Sequence, residues 1–348
     1  MKIALRIEVA TLRGTREAAP RLAALLKEYR AGATFLFSLG PDRTGRALGS
    51  LPRVPKWKCY GPAALLSGTL LPGPDIGVRC ADEMRAVKAE GYEAGILAYD
   101  RADWVRHVAR AGESWTRAAM QRARDRYEEI FRAPAITHGA PGWQMNRYAY
   151  RYTQRLGFRH CSDTRGAGPF IPVVNGEIAA CPQLPTTLPT LDELLAGGLN
   201  PDEAVRRLLE LSRTPPAGGH VHTLRAEVEG TMFEPVLRVL LERWRGLGIA
   251  LVSLREYAAA LDLAHLPRRV IVEQPVPGAR GTVSAQGKEF HGFAQESVVE
   301  TKKVVWPTRK ETLQTTGIVF AFMVVMALFL WIVDASLLWV VKRLLGQS

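Results

Sequence analysis

The sequence predicts an α/β protein: a (β/α) barrel of parallel strands, then a linker, a short amphipathic helix and one C-terminal membrane-crossing helix. Three observations carry this. Apolar runs of strand length alternate at short spacing with segments of helical period, which favours a parallel sheet with helices outside it. About seven such runs fall in the first ~262 residues, a number that suits a barrel better than an open sheet. Finally, Gly317 to Val333 contains no charged residue, and with its continuation to Val341 it gives roughly 25 residues, enough to cross a hydrocarbon core about 30 Å thick.

Taken in order, KIALRIEV (Lys2–Val9) reads as a buried strand. A helix follows from about Glu17, with Leu22, Leu25, Leu26 and Tyr29 on one face and Gly32 as its stop. Ala33–Leu39 is the second strand, Cys80–Ala89 a helix and Tyr92–Tyr99 the third strand. A long helix runs to Arg132 with Ser114 as its N-cap. Ala133–Gly139 and FRHCSDTRG supply further strands, separated by the helix of GWQMNRYAYRYTQRLG. Asn200 and Pro201 fit the N-cap and first turn of a helix ending near Arg213. His220–Val228 is a strand, Glu234–Leu247 a helix and Ile249–Leu254 the closing strand. The barrel therefore occupies 1–262. Residues 263–287, which carry Pro, Gly and Ser without helical period, read as a linker. In 289–305, Phe290, Phe293, Ala294, Ser297, Val298, Thr301 and Val305 share one helical face, and Glu296, Glu300 and Lys303 share another. Such a helix lies in a membrane interface. Pro307 separates it from the span, about 314–341.

The chain is 47% hydrophobic and 23% charged, with a net charge of +12. The excess comes from scattered arginines rather than a basic run, so it reads as proximity to an anionic membrane and not as nucleic-acid binding. Cys59, Cys80, Cys161 and Cys181 form no CxxC pair, which argues against a zinc ribbon or a redox motif. Lys302, Lys303, Arg309 and Lys310 precede the span, whereas Lys342 and Arg343 follow it. That bias places the N-terminal side in the cytoplasm, and MKIALRIEVA has no signal-peptide pattern. The expectation is a single-pass protein of the bacterial inner membrane with its N-terminal domain cytoplasmic.

Two stretches resemble known families. Residues 288–348 resemble the SecE subunits of the bacterial protein-translocation channel. The motif is Val304, Val305, Trp306, Pro307, Thr308, Arg309, Lys310 and Glu311, followed by a span holding Trp331 and Asp334. The resemblance implies a clamp around SecY, with SecG and SecA as further partners and Val305, Trp306, Pro307, Thr308, Arg309 and Asp334 as contact residues. An acidic residue such as Asp334 on a span favours a protein partner or the far interface over bulk lipid.

Residues 1–262 resemble the NodB-type polysaccharide deacetylases, whose fold is a distorted (β/α) barrel, and within them the deformylases of undecaprenyl-phosphate aminoarabinose. LRIEVATLRGTRE, SLGPDRTGR, LLPGPDIG, APGWQ, SDTRG, PQLPTTLPTLDE and AEVEG carry the likeness, in order. It implies a metal-assisted amidase: two histidines and an aspartate hold a divalent ion, a second aspartate is the general base and a late histidine the general acid. This sequence departs at each of those positions. Glu8 stands for the base, Ala10 for the ligand aspartate, Leu97 and Arg101 for the ligand histidines and Arg225 for the late histidine. Leucine and alanine offer no electron pair and arginine stays protonated, so the expectation is no metal, no cofactor and a domain without catalytic residues. If active, it would hydrolyse a C–N amide bond. It could also bind the lipid-linked sugar without cleaving it. His107, His138, His160, His220 and His222 are the residues available to rebuild a metal site, and alternation puts His222 on the face opposite Arg225. Arg101 and Arg225 are expected to neutralise Glu8 and Asp100 as ion pairs in place of the ion.

Overall fold

The computed structural model describes residues 1–216, 218–276, 281–290 and 309–344. It divides into two units, Met1–Phe290 and His291–Ser348.

The first unit is built on strand β1 (Lys2–Val9), buried from Ile3 onward. Its alternation sorts the side chains. Ile3, Leu5, Ile7 and Val9 pack with Leu22, Leu25 and Leu26 of the helix Ala19–Glu28, which leaves Ala4, Arg6, Glu8 and Ala10 for the other face. Parallel pairing extends on both sides, in the order β5 (His160–Cys161), β4 (Thr137–His138), β3 (Glu93–Ala98), β2 (Thr34–Ser38), β1 and β8 (His220–Arg225). The sheet is a half-barrel. No regular ladder joins β5 to β8 among the described residues. The extended, proline-rich stretch 182–188 spans the gap: Leu184 N–H donates to Cys161 O, and Thr187 N–H to Val221 O. Pro182 and Pro185 have no N–H to give, so this closure is irregular.

Several expectations need correction. Ile249–Leu254 does not close the barrel, because β9 (Ala250–Val252) pairs with the first residues of β1. The long helix spans Glu113–Phe131, and its N-cap is Gly112 rather than Ser114. β8 ends at Arg225, after which Ala226–Glu229 turns into a short helix. Asn200 and Pro201 do begin a helix, Pro201–Ser212, with a capping box closed by Glu203.

The largest correction concerns 263–287. Instead of a linker, Arg268–Pro275 (β10) and Thr282–Glu289 (β11) form an antiparallel hairpin. It joins β6 (Ile171–Val174) and β7 (Glu177–Ile178) in a second, four-stranded sheet. Val283 and Val276 cover Trp143. The Gln286 side-chain oxygen accepts from Ala167 N–H at 2.7 Å. The first unit thus ends at Phe290, and Lys288 and Glu289 belong to the hairpin, not to an amphipathic helix. Phe290 follows the hairpin, its N–H donating to Arg268 O at 2.9 Å, and 291–305 of that proposed helix lie outside the described residues, as do Trp306, Pro307 and Thr308.

In the second unit a helix runs from Arg309 to Leu344 and carries Asp334. Its stretch Thr316–Lys342 has 27 residues, and an 18-residue window within it has a mean hydropathy of 2.6 with none of it buried. At 1.5 Å per residue it exceeds a hydrocarbon core of about 30 Å.

Candidate functional site

The C-terminal ends of β1, β3 and β8 converge on one mouth. The register sets Glu8 beside Leu36 on one side and Arg225 on the other. Glu8 is 2% exposed. Its carboxylate accepts from Arg6 Nη1 at 2.7 Å and from Arg225 Nη1 at 2.6 Å. Burial alone would raise its pKa, but Arg225 and Arg6 together hold it below the ordinary glutamate value. Arg225 also donates from Nε to Asp192 at 3.1 Å. Burial opposes its charge, but Asp192 and Glu8 prevail and fix the guanidinium as charged. Arg6, fully buried, spends its other donors on Ser162 O at 3.1 Å and Ala140 O at 3.0 Å. Arg165 reaches Glu193 at 3.3 Å.

Trp143 stands among these cations. The guanidinium carbons of Arg6, Arg165 and Arg225 lie 5.8, 4.9 and 5.7 Å from its ring centroid. Trp143 takes φ +53° in the turn after β4, following Gly142 at +58°, and its indole N–H donates to Thr186. Two glycines make room for the mouth. A Cβ on Gly139 would meet Leu36 Cδ1 at 2.3 Å, with Arg6 Nε 3.0 Å away. On Gly14 it would meet Glu227 Oε1 at 2.0 Å, the oxygen that holds the backbone N–H groups of Ala10 and Thr11.

The positions that would hold a metal do not fit one. Ala10, Leu36 and Leu97 pack together as a buried apolar trio, so carbon occupies the place where donor atoms would converge. Arg101 begins the helix Arg101–His107 and bonds Ser50 O at 3.1 Å and Ser50 Oγ at 3.4 Å. The ion-pair expectation holds for Arg225 and fails for Arg101. Asp100 points away as the N-cap of that helix and pairs with Arg43 at 3.0 Å.

The five histidines do not meet to rebuild the site. His107 pairs with Asp103 near the surface, His160 with Glu93 at 3.0 Å, and His220 bridges Thr187 and Leu211 O. His222 lies on the face opposite Arg225 as alternation requires, edge-on to Trp244, and burial pushes its pKa down to about 3. His138, Cys161 and Asp163 do cluster. Asp163 is already consumed: it accepts from His138 Nδ1 at 2.7 Å, Ala140 N–H at 2.8 Å and Gln183 Nε2 at 3.0 Å. Burial pushes the Cys161 thiol well above its usual range, away from the thiolate a metal needs.

Arg6, Asp192 and Glu193 were not singled out from the sequence. Arg6 had a signal: a charge inside a run read as fully buried, two residues before Glu8, must share its face.

A half-barrel with this mouth, followed by one long apolar helix, defines a polysaccharide-deacetylase-type domain on a membrane-spanning tail. Comparison with known proteins agrees. The chain is 30% identical over 294 residues to a Shewanella sediminis protein described as a 4-deoxy-4-formamido-L-arabinose-phosphoundecaprenol deformylase, covering 82% of this chain and 94% of the relative. A Mycobacterium smegmatis structure described as a polysaccharide deacetylase shares the fold, with TM-score 0.55 and 16% identity over 79% of this chain and 95% of that one. Residues 292–345 match the SecE/Sec61-gamma subunits of protein translocation complex. The Pseudomonas aeruginosa translocase subunit SecE is 38% identical over 91 residues, which is 26% of this chain and 75% of that protein. The chain belongs to the 4-deoxy-4-formamido-L-arabinose-phosphoundecaprenol deformylase family and carries a SecE domain at its C-terminus.

Proposed function

We propose that this chain acts as a SecE-type subunit of the protein-translocation channel, clamping SecY in the bacterial inner membrane, and that its N-terminal barrel does not catalyse. The single observation behind the first half is the SecE match over 292–345 on a helix long and apolar enough to span a bilayer. The barrel is read as cytoplasmic, from the cations ahead of the span. SecG and SecA are then its neighbours in the channel, and nucleic acid is no partner. Val305, Trp306, Pro307, Thr308, Arg309 and Asp334 are the contact residues this reading assigns. The test is rescue of SecE-depleted cells. The full chain should restore export of a secreted reporter, and Trp306→Ala with Pro307→Ala should weaken the rescue. Export that stays blocked with the chain stably inserted would refute the assignment.

The second half rests on the apolar trio of Ala10, Leu36 and Leu97. A metal-dependent deformylase of the lipid-linked formamido-sugar is the competing activity, favoured by kinship with the Shewanella protein. Amide hydrolysis places negative charge on the carbonyl oxygen as water adds, and stabilising that charge is the larger part of catalysis. The apolar trio leaves no metal to polarise the carbonyl or to activate the attacking water, and both Glu8 oxygens are already engaged by guanidiniums rather than free to take a proton from that water.

A further inference from the structure

The mouth retains a cavity of about 40 Å³ lined in part by Ser50, Arg101, Trp143, Asp192, Glu193 and Arg225. Its carboxylates are matched, Asp192 by Arg225 and Glu193 by Arg165. Arg101 is not. It is 6% exposed, and among the described residues its hydrogen bonds go only to the carbonyl and hydroxyl of Ser50, both neutral. A guanidinium carries five N–H donors and one full charge, and a buried charge with no counter-charge in contact is unfavourable. The position that holds a cation's ligand in the deacetylase pattern is thus itself a cation, which reverses the sign of the charge the cavity can accept.

We propose that this cavity binds a small oxyanion, a carboxylate or phosphate group, with the Arg101 guanidinium as its counter-charge and the Ser50 hydroxyl beside it. Arginine's planar fork suits such groups. The volume corresponds to roughly three water-sized spheres, room for a formate or one phosphate group but not for a sugar ring. A phosphate on a lipid-linked molecule would therefore enter with its carrier outside. The proposal rests on the metal-free reading of the barrel.

The test titrates the full chain in detergent micelles with sodium phosphate and with sodium formate, at constant ionic strength against chloride. Calorimetry is run before and after EDTA treatment. The expected result is saturable one-to-one binding unchanged by EDTA, at least tenfold weaker in Arg101→Gln and retained in Arg101→Lys. Undecaprenyl phosphate in the same micelles separates the sources: competition assigns the site to a lipid phosphate, and independence assigns it to a free anion, each leaving an oxyanion site in place. Absence of saturable binding in the wild type overturns the proposal, as does equal affinity in a folded Arg101→Gln. Binding abolished by EDTA overturns the metal-free reading as well, so the two failures are distinguishable.

Discussion

Replacing Arg225 by Met tests the ion network at the barrel mouth. Arg225 bonds Glu8 at 2.6 Å and Asp192 at 3.1 Å, and its side chain is 11% exposed. Its loss leaves Asp192 without its cation and Glu8 with Arg6 alone. Removing one partner of a buried pair costs roughly 3–5 kcal/mol, because the stranded carboxylate stays desolvated. At about 2–4 °C per kcal/mol for a domain this large, the melting temperature should fall on the order of 10 °C. Thermal unfolding followed by near-ultraviolet circular dichroism reads this. Adding Glu8→Gln and Asp192→Asn to Arg225→Met should recover most of the loss, since a neutral mouth has no charge to desolvate. The pH profile supplies a second reading. Glu8 is held below its unfolded value, so its stabilisation is present above about pH 4.3 and is lost as pH falls through the folded value. That acid-limb loss should shrink in Arg225→Met. A single variant within about 1 kcal/mol of wild type, the range of an exposed pair, would refute the reasoning.

Two further outcomes are expected. Glu229 is buried beside Asp192, and its pKa is pushed up to about 8, chiefly by burial. Between about pH 4.3 and 8 the unfolded chain ionises this group while the folded one keeps its proton, so stability falls as pH rises, by at most about 1.4 kcal/mol per unit. Glu229→Gln removes that slope, and denaturant titrations of both proteins at several pH values should show their difference growing toward pH 8; a constant difference would contradict the assignment. A chain cut after Asp262 loses the hairpin that covers Trp143 and should be digested by trypsin faster than one cut after Phe290; equal resistance would restore the view of 263–287 as a linker.

The sequence made the parallel sheet legible because its strands are short, apolar and evenly spaced. The β1 alternation was enough to place Glu8 and Ala10 on one face. The hairpin β10–β11 was not legible. Its Pro-, Gly- and Ser-containing text has the texture of a connector, and the feature that fixes it, Val283 against Trp143, joins residues far apart in the chain. The irregular closure at 182–188 escaped for a similar reason, since prolines mask an extended segment that pairs on both sides. Within the site, Arg225 was legible because it stands at the late-histidine position of the resembled family, and the register then sets it beside Glu8. Arg101 was misjudged because its neighbour Asp100 caps a helix and so faces Arg43, a contact that adjacency in sequence does not reveal.

The central claim is that the C-terminal segment makes this chain a translocon subunit whatever its barrel has become. The most direct measurement is the SecY content of the affinity-tagged full chain, purified from bacterial membranes in mild detergent and quantified by mass spectrometry. The account predicts SecY near one copy per chain, with sharp loss when Trp306 and Pro307 are replaced. A chain that inserts in the membrane and purifies free of SecY would contradict it.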